Sequence, residues 1–366
     1  MCSTLVALNL KKKTKGILRK EKLMQTERLT VFDVEEDKEA LLRAAEILQN
    51  GGLVGIPTET VYGLAANTFD EKAVADIFAA KGRPQDNPLI VHVSDMEMVK
   101  DLVSELPEKA RLCAEKFWPG PFTMVLPRGE KVPRSVSAGL DTVAVRMPSN
   151  PVAHELIKVS GLPLAAPSAN LSGSPSPTTA EHVLFDLDGR IDAVIVSDKC
   201  DVGLESTVIS LCCEPPRLLR PGGVTLEQLK EILPDIVVDK AVLAQPEKGK
   251  PVASPGMKYK HYSPKARVIM LDGDFEKFKK YVDDNAEDGT FALVYEGEEH
   301  ELSVPCVSFG HKGDEAEQAA VLFDALRELD NLGCKVCFAR VPKKSGVGLA
   351  VYNRLIRAAA FEVISL

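Results

Sequence analysis

The sequence predicts an α/β protein of two domains, and three observations lead to that expectation. The chain has 366 residues, which at roughly 100–200 residues per domain favours two domains over one. Short apolar strands and amphipathic helices follow one another along most of the chain. A stretch rich in proline and glycine, residues 244–264, interrupts this pattern and predicts a linker.

The composition excludes several classes of protein. Hydrophobic residues make up 45% and charged residues 27%, which is typical of a globular chain with a sizeable core. A formal net charge of −8 argues against a protein held mainly by broad electrostatic attraction to nucleic acid or an anionic membrane. No run approaches the roughly 20 apolar residues of a membrane span, so we expect no membrane partner.

The cysteines indicate a reducing compartment. Eight cysteines without a secretory signal favour free thiols, and we therefore expect a cytoplasmic protein. Cys334 and Cys337 form a C-x-x-C motif, but no second pair completes a zinc site. We interpret them, and the vicinal Cys212 and Cys213, as buried structural thiols.

The amino end differs in composition from the rest. Residues 11–28 hold eight lysines and arginines against two glutamates. An organellar presequence would be rich in serine and arginine, whereas this segment is rich in lysine and poor in serine. We expect residues 1–28 to form a disordered basic tail.

A first domain is expected over residues 29–243. Helical periodicity over 36–49 ends at a Gly-Gly pair, an apolar strand follows at 53–56, and Asp70 is placed to cap a helix running to Ala80. Further strands are predicted at 123–126, 142–147, 164–166, 193–196 and 207–211, and further helices at 108–117, 151–159, 179–187 and 226–233. Because the alternation is not strict, the sheet should be twisted and mixed.

A second, smaller domain is expected over residues 265–366. Strands are predicted at 267–271, 291–295, 304–309 and 335–341, and helices at 274–282, 315–329 and 348–360. Strands and helices alternate cleanly here, which predicts a small doubly wound, Rossmann-like α/β domain.

Polar segments follow several predicted strands, at the edge where open α/β sheets usually bind ligands. A plain turn explains Pro57 and Gly63 of the first segment, but not the Thr-Glu-Thr-x-Tyr run between them. A helix terminus explains Lys81 and Gly82 of the second, but leaves Arg83 and Asn87 unexplained.

Three further features remain open on the sequence alone. The Ser-rich segment 165–178 is either a flexible tip or a hydroxyl-and-amide cradle for phosphate oxygens. His92 lies on an apolar strand, where a histidine is more often a core residue than a catalyst. Arg146 is a charge on another apolar strand and needs a carboxylate or phosphate partner.

Known nucleotide and metal motifs are missing from the sequence. Neither G-x-x-x-x-G-K-[ST] nor G-x-G-x-x-G occurs, so a nucleotide would be bound by neither a P-loop nor a Rossmann fingerprint. H-E-x-x-H is also missing, and no side-chain motif predicts a metal site.

Six ordered segments resemble one family. They are P-T-E-T-V-Y-G-L, K-G-R-P-x-x-N-P-L-I-V-H, P-G-P-F-T, R-M-P, A-P-S-A-N-x-S-G and, in the linker, S-P-G-M-K-Y-K-H-Y. In this order they resemble the threonylcarbamoyl-adenylate synthases of the YrdC-like fold. The linker motif followed by an α/β domain is similar to the long, two-domain form of that family.

The resemblance implies an enzyme, a nucleotidyltransferase that converts L-threonine, bicarbonate and ATP into L-threonylcarbamoyl-AMP and pyrophosphate. It implies Mg²⁺ with the ATP, no organic cofactor, and hand-over of the product to a separate complex that modifies tRNA beside the anticodon. The threonine site it implies comprises Thr60, His92, Arg146, Ala166 and Ser206. The ATP site it implies comprises Lys81, Arg83, Asn87, Thr142, Ser168, Ser176 and Arg220, with Tyr259 or Tyr262 of the linker closing over the nucleotide as part of a lid.

Two alternative functions stay open. A non-catalytic module that binds tRNA or double-stranded RNA could use the same basic surface, although the net charge disfavours it. A carbamoyl transferase of the hydrogenase-maturation type has a similar domain but carries additional regions that this sequence lacks.

Overall fold

A computed structural model of the chain describes residues 25–244 and 262–366. The first of these ranges folds into a domain of eleven strands and seven α-helices. In chain order they are β1 (Glu27–Thr30), α1 (Lys38–Gln49), β2 (Val54–Ile56), β3 (Gly63–Asn67), α2 (Glu71–Lys81), β4 (Ile90–His92), α3 (Met96–Leu102), α4 (Glu108–Phe117), β5 (Phe122–Pro127), β6 (Thr142–Arg146), α5 (Pro151–Ser160), β7 (Leu164–Ala165), α6 (Ala180–Leu187), β8 (Ala193–Val196), β9 (Thr207–Ser210), β10 (Arg217–Arg220), α7 (Leu226–Ile232) and β11 (Val237–Val238).

The helices begin and end where local chemistry requires. The Asp70 carboxylate accepts hydrogen bonds from the backbone N–H groups of Lys72 and Ala73, and Gly82 ends the same helix in the left-handed conformation. Thr225 and Gln228 form a capping box at the start of α7. The predicted helix boundaries are therefore confirmed to within a few residues.

The first domain's strands form a single mixed sheet, as predicted. Its strand order is β1-β8-β2-β3-β7-β4-β6-β5-β9-β10-β11. At its centre β4 runs parallel to β6 and antiparallel to β7. Helices cover the sheet, and buried apolar side chains from both form the main core.

Some elements lie where the sequence analysis placed none. Strand β1 falls partly inside the stretch assigned to the basic tail, and it pairs with β8 in parallel. Leu29 is the one buried residue of β1, so the segment shows no alternating pattern to detect. The rest of that tail, residues 1–24, lies outside the described residues. Cys212 is exposed, which corrects its interpretation as a buried thiol.

Residues 262–366 form the second domain. Its elements are β12 (Arg267–Asp272), α8 (Phe275–Asp284), β13 (Thr290–Val294), β14 (Cys306–Ser308), α9 (Glu315–Asn331), β15 (Val336–Arg340), α10 (Gly348–Ala358) and β16 (Val363–Ser365). The sheet order is β14-β13-β15-β12-β16, and every pairing in it is parallel. Within the two described ranges, no helix is long and apolar enough to cross a membrane.

The two domains share an apolar and ionic interface. Val61 and Leu204 of the first domain belong to the core cluster of the second. The guanidinium of Arg327 donates to the Asp186 carboxylate at 2.9 Å, and both side chains are buried. At Gly203 the backbones touch, because a Cβ there would lie 2.5 Å from the Cα of Ala320.

We expect the substitution Gly203→Ala to disturb this interface. Gly203 has φ +72, and Gly161, a matched control with φ +67, faces open space. The left-handed conformation alone should lower the free energy of unfolding by about 1 kcal/mol in both variants. The backbone clash should add about 2 kcal/mol for Gly203→Ala. Thermal denaturation of both variants checks this, and equal shifts would contradict the close contact.

Candidate functional site

A cleft opens on the first domain, and its mouth meets the second. Its wall collects side chains from segments far apart in sequence: Thr58, Thr60, Val61, Gly63, Arg83, Ile90, His92, Arg146, Ala166, Pro167, Ser168, Asn170, Ser174, Glu205, Ser206, Arg220 and Tyr262. All five residues expected around the amino acid, and four of those expected around the nucleotide, are in this set.

The cleft lies along a face of the sheet. Ile90 and His92 are two residues apart on β4 and therefore point to the same side. His92 stands beside Arg146 of β6 in the parallel register, and Arg146 stands opposite Thr123 of β5. Most of the polar groups also lie where the sequence analysis expects them, because His92 and Arg146 end β4 and β6, and Thr60 follows the end of β2.

Arg146 lies at the centre of the cleft with a partner from the protein. Its Nη2 is 2.7 Å from Oε1 of Glu59, and both side chains are buried. Its Nη1 donates to Oγ1 of Thr60 at 2.8 Å. Burial opposes ionisation of Glu59, but the Arg146 guanidinium outweighs it and lowers the pKa of this carboxyl. The carboxylate partner that a buried arginine requires is thus Glu59.

Ser206 and Arg220 form a second polar group on the cleft wall. Ser206 precedes β9, and its Oγ is 2.8 Å from the hydroxyl of Thr123. Arg220 ends β10 and donates through Nε to the Ser206 carbonyl at 3.0 Å and through Nη2 to the Ser206 hydroxyl at 3.1 Å. The cation and the hydroxyl are therefore held as a unit.

His92 is neutral at physiological pH. Burial, reinforced by the nearby Arg146 cation, lowers its pKa to about 3. Its Nδ1 is buried and has no hydrogen-bond partner among the described residues. A neutral imidazole beside Arg146 adds no charge to the cleft and retains unused hydrogen-bonding capacity.

The Ser-rich segment is an ordered loop. Ser168 donates to Oδ1 of Asn170 at 2.6 Å, and the Asn170 amide donates to the carbonyls of Leu171 and Ser174. Lys81 donates from Nζ to the carbonyls of Ser168 and Asn170. These hydrogen bonds fix the loop, so the interpretation of this segment as a flexible tip is wrong.

Four of the expected nucleotide residues do not line the cleft. Lys81 is buried behind the Ser-rich loop, and desolvation lowers its pKa well below the ordinary value. Thr142 starts β6, and Ser176 donates to the Glu205 carboxylate. Asn87 is buried behind Arg83, whose Nη2 donates to its carbonyl at 3.4 Å. Tyr259 lies outside the described residues, as does most of the expected lid.

Some residues of the site were missed from sequence. Glu205 lines the cleft, and its carboxylate is 2.8 Å from Nε of Arg354 on α10. A carboxylate next to Ser206 was a possible signal. Arg354 gave none, because a single arginine on a predicted helix is usually solvent-exposed.

The comparisons with known proteins agree with this organisation. Residues 46–222 match the family model Sua5–YciO–YrdC, described as "Telomere recombination". Residues 224–360 match a model described as "Threonylcarbamoyl-AMP synthase, C-terminal domain".

Proteins named threonylcarbamoyl-AMP synthase match this chain over most of its length. The threonylcarbamoyl-AMP synthase of Pyrococcus abyssi is 44% identical over 88% of this chain and 95% of its own length. The threonylcarbamoyl-AMP synthase of Bacillus subtilis is 45% identical over 88% of this chain and 94% of its own length. The crystal structure of P. abyssi Sua5 complexed with L-threonine superposes with a TM-score of 0.86 at 42% identity, covering 93% of this chain and 99% of that one.

The buried pair in the cleft should make stability depend on pH. The folded-state pKa of Glu59 lies below the ordinary value of 4.5, so its contribution is present above about pH 4.5 and is lost as the pH falls through the folded value. We expect Glu59→Gln to lower the free energy of unfolding at pH 7 by about 3 kcal/mol or more. Its acid-induced loss of stability should be smaller than that of the wild type.

Denaturant titrations at pH 7 and pH 3.5 measure both effects. Glu97→Gln is the control, because Glu97 forms an exposed ion pair with Lys100 and should change stability by less than about 1 kcal/mol. Identical pH dependence in Glu59→Gln and the wild type would remove the Glu59–Arg146 pair as a source of stability.

Proposed function

The chain belongs to the threonylcarbamoyl-AMP synthase family, and on that premise we propose that its cleft holds L-threonine and ATP side by side. The enzyme makes threonylcarbamoyl-AMP, the activated intermediate for a modification of tRNA beside the anticodon. The observation that carries the site assignment is that Thr60, Arg146, Ser206 and Arg220, from four distant segments, line one cleft.

The threonine end centres on Arg146. Its Nη1 donates to Thr60 and its Nε to the Gly120 carbonyl, while Nη2 forms the ion pair with Glu59. A guanidinium carries five N–H groups, so donors remain for the amino-acid carboxylate. The amino-acid carboxylate is therefore bound by Arg146 and Ser206 together rather than by Arg146 alone. Neutral His92 and the backbone of Ala166 complete this end, next to the amine that becomes the carbamate.

The nucleotide end uses Arg83 and Arg220. Both are on the cleft wall, with the ordered Ser168–Asn170 loop between the segments that carry them. Two guanidinium groups and serine hydroxyls suit the oxygens of a triphosphate. Asn87 contributes from behind Arg83, and Tyr262 forms the edge toward the second domain.

Magnesium enters this site with the nucleotide. Glu205 lines the cleft and Glu59 lies beside Arg146 of the cleft wall, and each carboxylate is committed to an arginine. Neither suits a resident divalent ion, whereas triphosphate oxygens are the hard ligands that Mg²⁺ prefers. MgATP is accordingly the substrate, and the protein supplies the cations that offset its remaining charge.

The reaction needs positioning more than a covalent nucleophile. The threonine amine attacks the carbon of bicarbonate-derived CO₂, loses a proton and becomes a carbamate. A carbamate oxygen then forms a bond to the α-phosphorus as the bond to pyrophosphate breaks, roughly in line. Arg146 and Ser206 hold the nucleophile, while Arg83 and Arg220 stabilise charge that moves to the leaving group.

The product is labile, so we propose that it passes to a separate tRNA-modifying complex.

The described cysteines, which include Cys113, Cys200 and Cys337, carry free thiols. Free thiols fit a reducing compartment, and we place the enzyme in the cytoplasm.

Turnover tests the reaction itself. Pyrophosphate release should require ATP, L-threonine and bicarbonate together, and each omission should reduce it to background. Pyrophosphate release at the same rate with and without L-threonine would overturn the proposed function.

Arg146→Ala should weaken binding of L-threonine by about 2–5 kcal/mol, because the ligand loses a buried cationic partner. Calorimetry at a temperature where the variant remains folded measures this. Arg134→Ala is the control, since Arg134 forms an exposed pair with Asp141 and should bind threonine normally. An unchanged affinity in Arg146→Ala would remove Arg146 from the site.

Arg83→Ala and Lys81→Ala should behave differently. Arg83 lines the cleft, so its loss should weaken ATP by about tenfold or more while threonine affinity changes little. Lys81 holds two loop carbonyls from behind, so its loss should lower the melting temperature as well as ATP affinity. Calorimetry with each substrate and thermal denaturation separate the two effects, and matching profiles would contradict the separate roles.

A further inference from the structure

Arg354 of the second domain reaches the cleft wall of the first. It lies on α10, and its side chain is completely buried. Nε is 2.8 Å from Oε2 of Glu205, and Nη2 donates to the Glu205 backbone carbonyl at 3.0 Å. Nη1 donates to the carbonyl of Pro221 at 2.7 Å. One guanidinium thus binds two separate loops of the other domain.

Those two loops carry the polar groups of the site. Glu205 immediately precedes Ser206, and Pro221 immediately follows Arg220. The loops are in close contact at Gly222, where a Cβ would lie 2.3 Å from the backbone nitrogen of Thr207. A shift of either loop would therefore move Ser206 relative to Arg220, and their hydrogen bonds with it.

Arg354 also compensates a charge that would disturb the cleft. Glu205 is buried and lines the wall on which a triphosphate would bind. Burial opposes its ionisation, but the cations of Arg354 and Arg220 outweigh that effect and lower the pKa of Glu205. An uncompensated carboxylate there would repel the phosphates and compete for Arg220.

The linker side of the cleft depends on the same guanidinium. Tyr262 lies on the cleft wall, with its ring 5.7 Å from the Arg354 guanidinium carbon and 5.3 Å from the Phe323 ring. Arg354 therefore contacts the three pieces of chain that bound this end of the site.

We propose that Arg354 is a positioning residue for adenylate formation: it aligns Ser206 with Arg220 and neutralises Glu205, although it belongs to the other domain. This inference rests on the proposed function, because it takes the Ser206–Arg220 wall to be where the substrates meet. The second domain is then a structural component of the active site.

Steady-state kinetics of the full chain test the proposal. Arg354→Met should lower kcat/KM for ATP by about 100-fold, as expected when reacting groups are misplaced by about 1 Å. Arg354→Lys keeps the positive charge opposite Glu205 but lacks the planar set of guanidinium N–H donors. It should lower kcat/KM for ATP by about tenfold. Lys199→Met is the control: it breaks another interdomain ion pair, with Asp324, that does not touch the cleft, and should retain wild-type kinetics.

Melting temperatures separate positioning from general destabilisation. Below the transition of each variant, an Arg354→Met enzyme with normal kcat and KM would overturn the proposal. Equal losses in Lys199→Met would do the same, because any weakening of the interface would then suffice. Should Arg354→Met not fold, Arg354→Lys decides, and wild-type kinetics in it would count against the proposal.

The outcome is distinguishable from a failure of the proposed function. Wild-type turnover and the threonine affinity of Arg146→Ala decide the substrates and their placement. The ratio of kcat/KM between the Arg354 variants and Lys199→Met decides whether the second domain sets the geometry of the site.

Discussion

The compensation of buried charge is the constraint on which this cleft depends. A site for an amino-acid carboxylate and a triphosphate needs cations, yet a buried cation without a partner is strongly destabilising. Glu59 pairs with Arg146 and Glu205 pairs with Arg354, and the nearby Arg220 cation adds to the effect that lowers the pKa of Glu205. The cations are thus held in place while further N–H donors remain for substrates. On the proposed function, this explains why Glu59 and Glu205 are buried next to the arginines of a site for anions.

The mixed sheet makes that arrangement possible. Because β4 and β6 are parallel while β5 is antiparallel to β6, His92, Arg146 and Thr123 come side by side on one face. Ser206 reaches the same face from the start of β9, and Arg220 from the end of β10. These residues form part of the cleft wall, which Ser168 and Asn170 of the Ser-rich loop also line.

The sequence predicted the elements whose signals are local. The Asp70 cap, the Gly82 terminus and the alternating parallel pattern of the second domain needed no knowledge of distant residues. Nine of the residues named from the motif resemblance line one cleft. Lys81 and Ser176 do not line it, because membership of a motif does not tell whether a side chain faces a cavity or supports the loop behind it.

The misses have a common physical origin in tertiary structure. Strand β1 is defined by its pairing with β8, whose paired residues lie 166 positions further along the chain, and it has little pattern of its own. Arg354 lies 149 residues from Glu205, and only the docking of the domains reveals its role. The shared sheet face likewise follows from strand order, which local periodicity does not determine.

The bonds from Arg354 to the two loops couple occupancy of the cleft to the seating of the second domain. Thermodynamic linkage is reciprocal: if a docked α10 favours the loop arrangement that binds substrate, bound substrate must favour the docked α10 by the same free energy. On the proposed role of Arg354, the loaded enzyme should therefore resist separation of its two domains better than the empty enzyme. Departure of the product should then weaken the contact between the two domains, so the stability of their interface would change during each catalytic cycle.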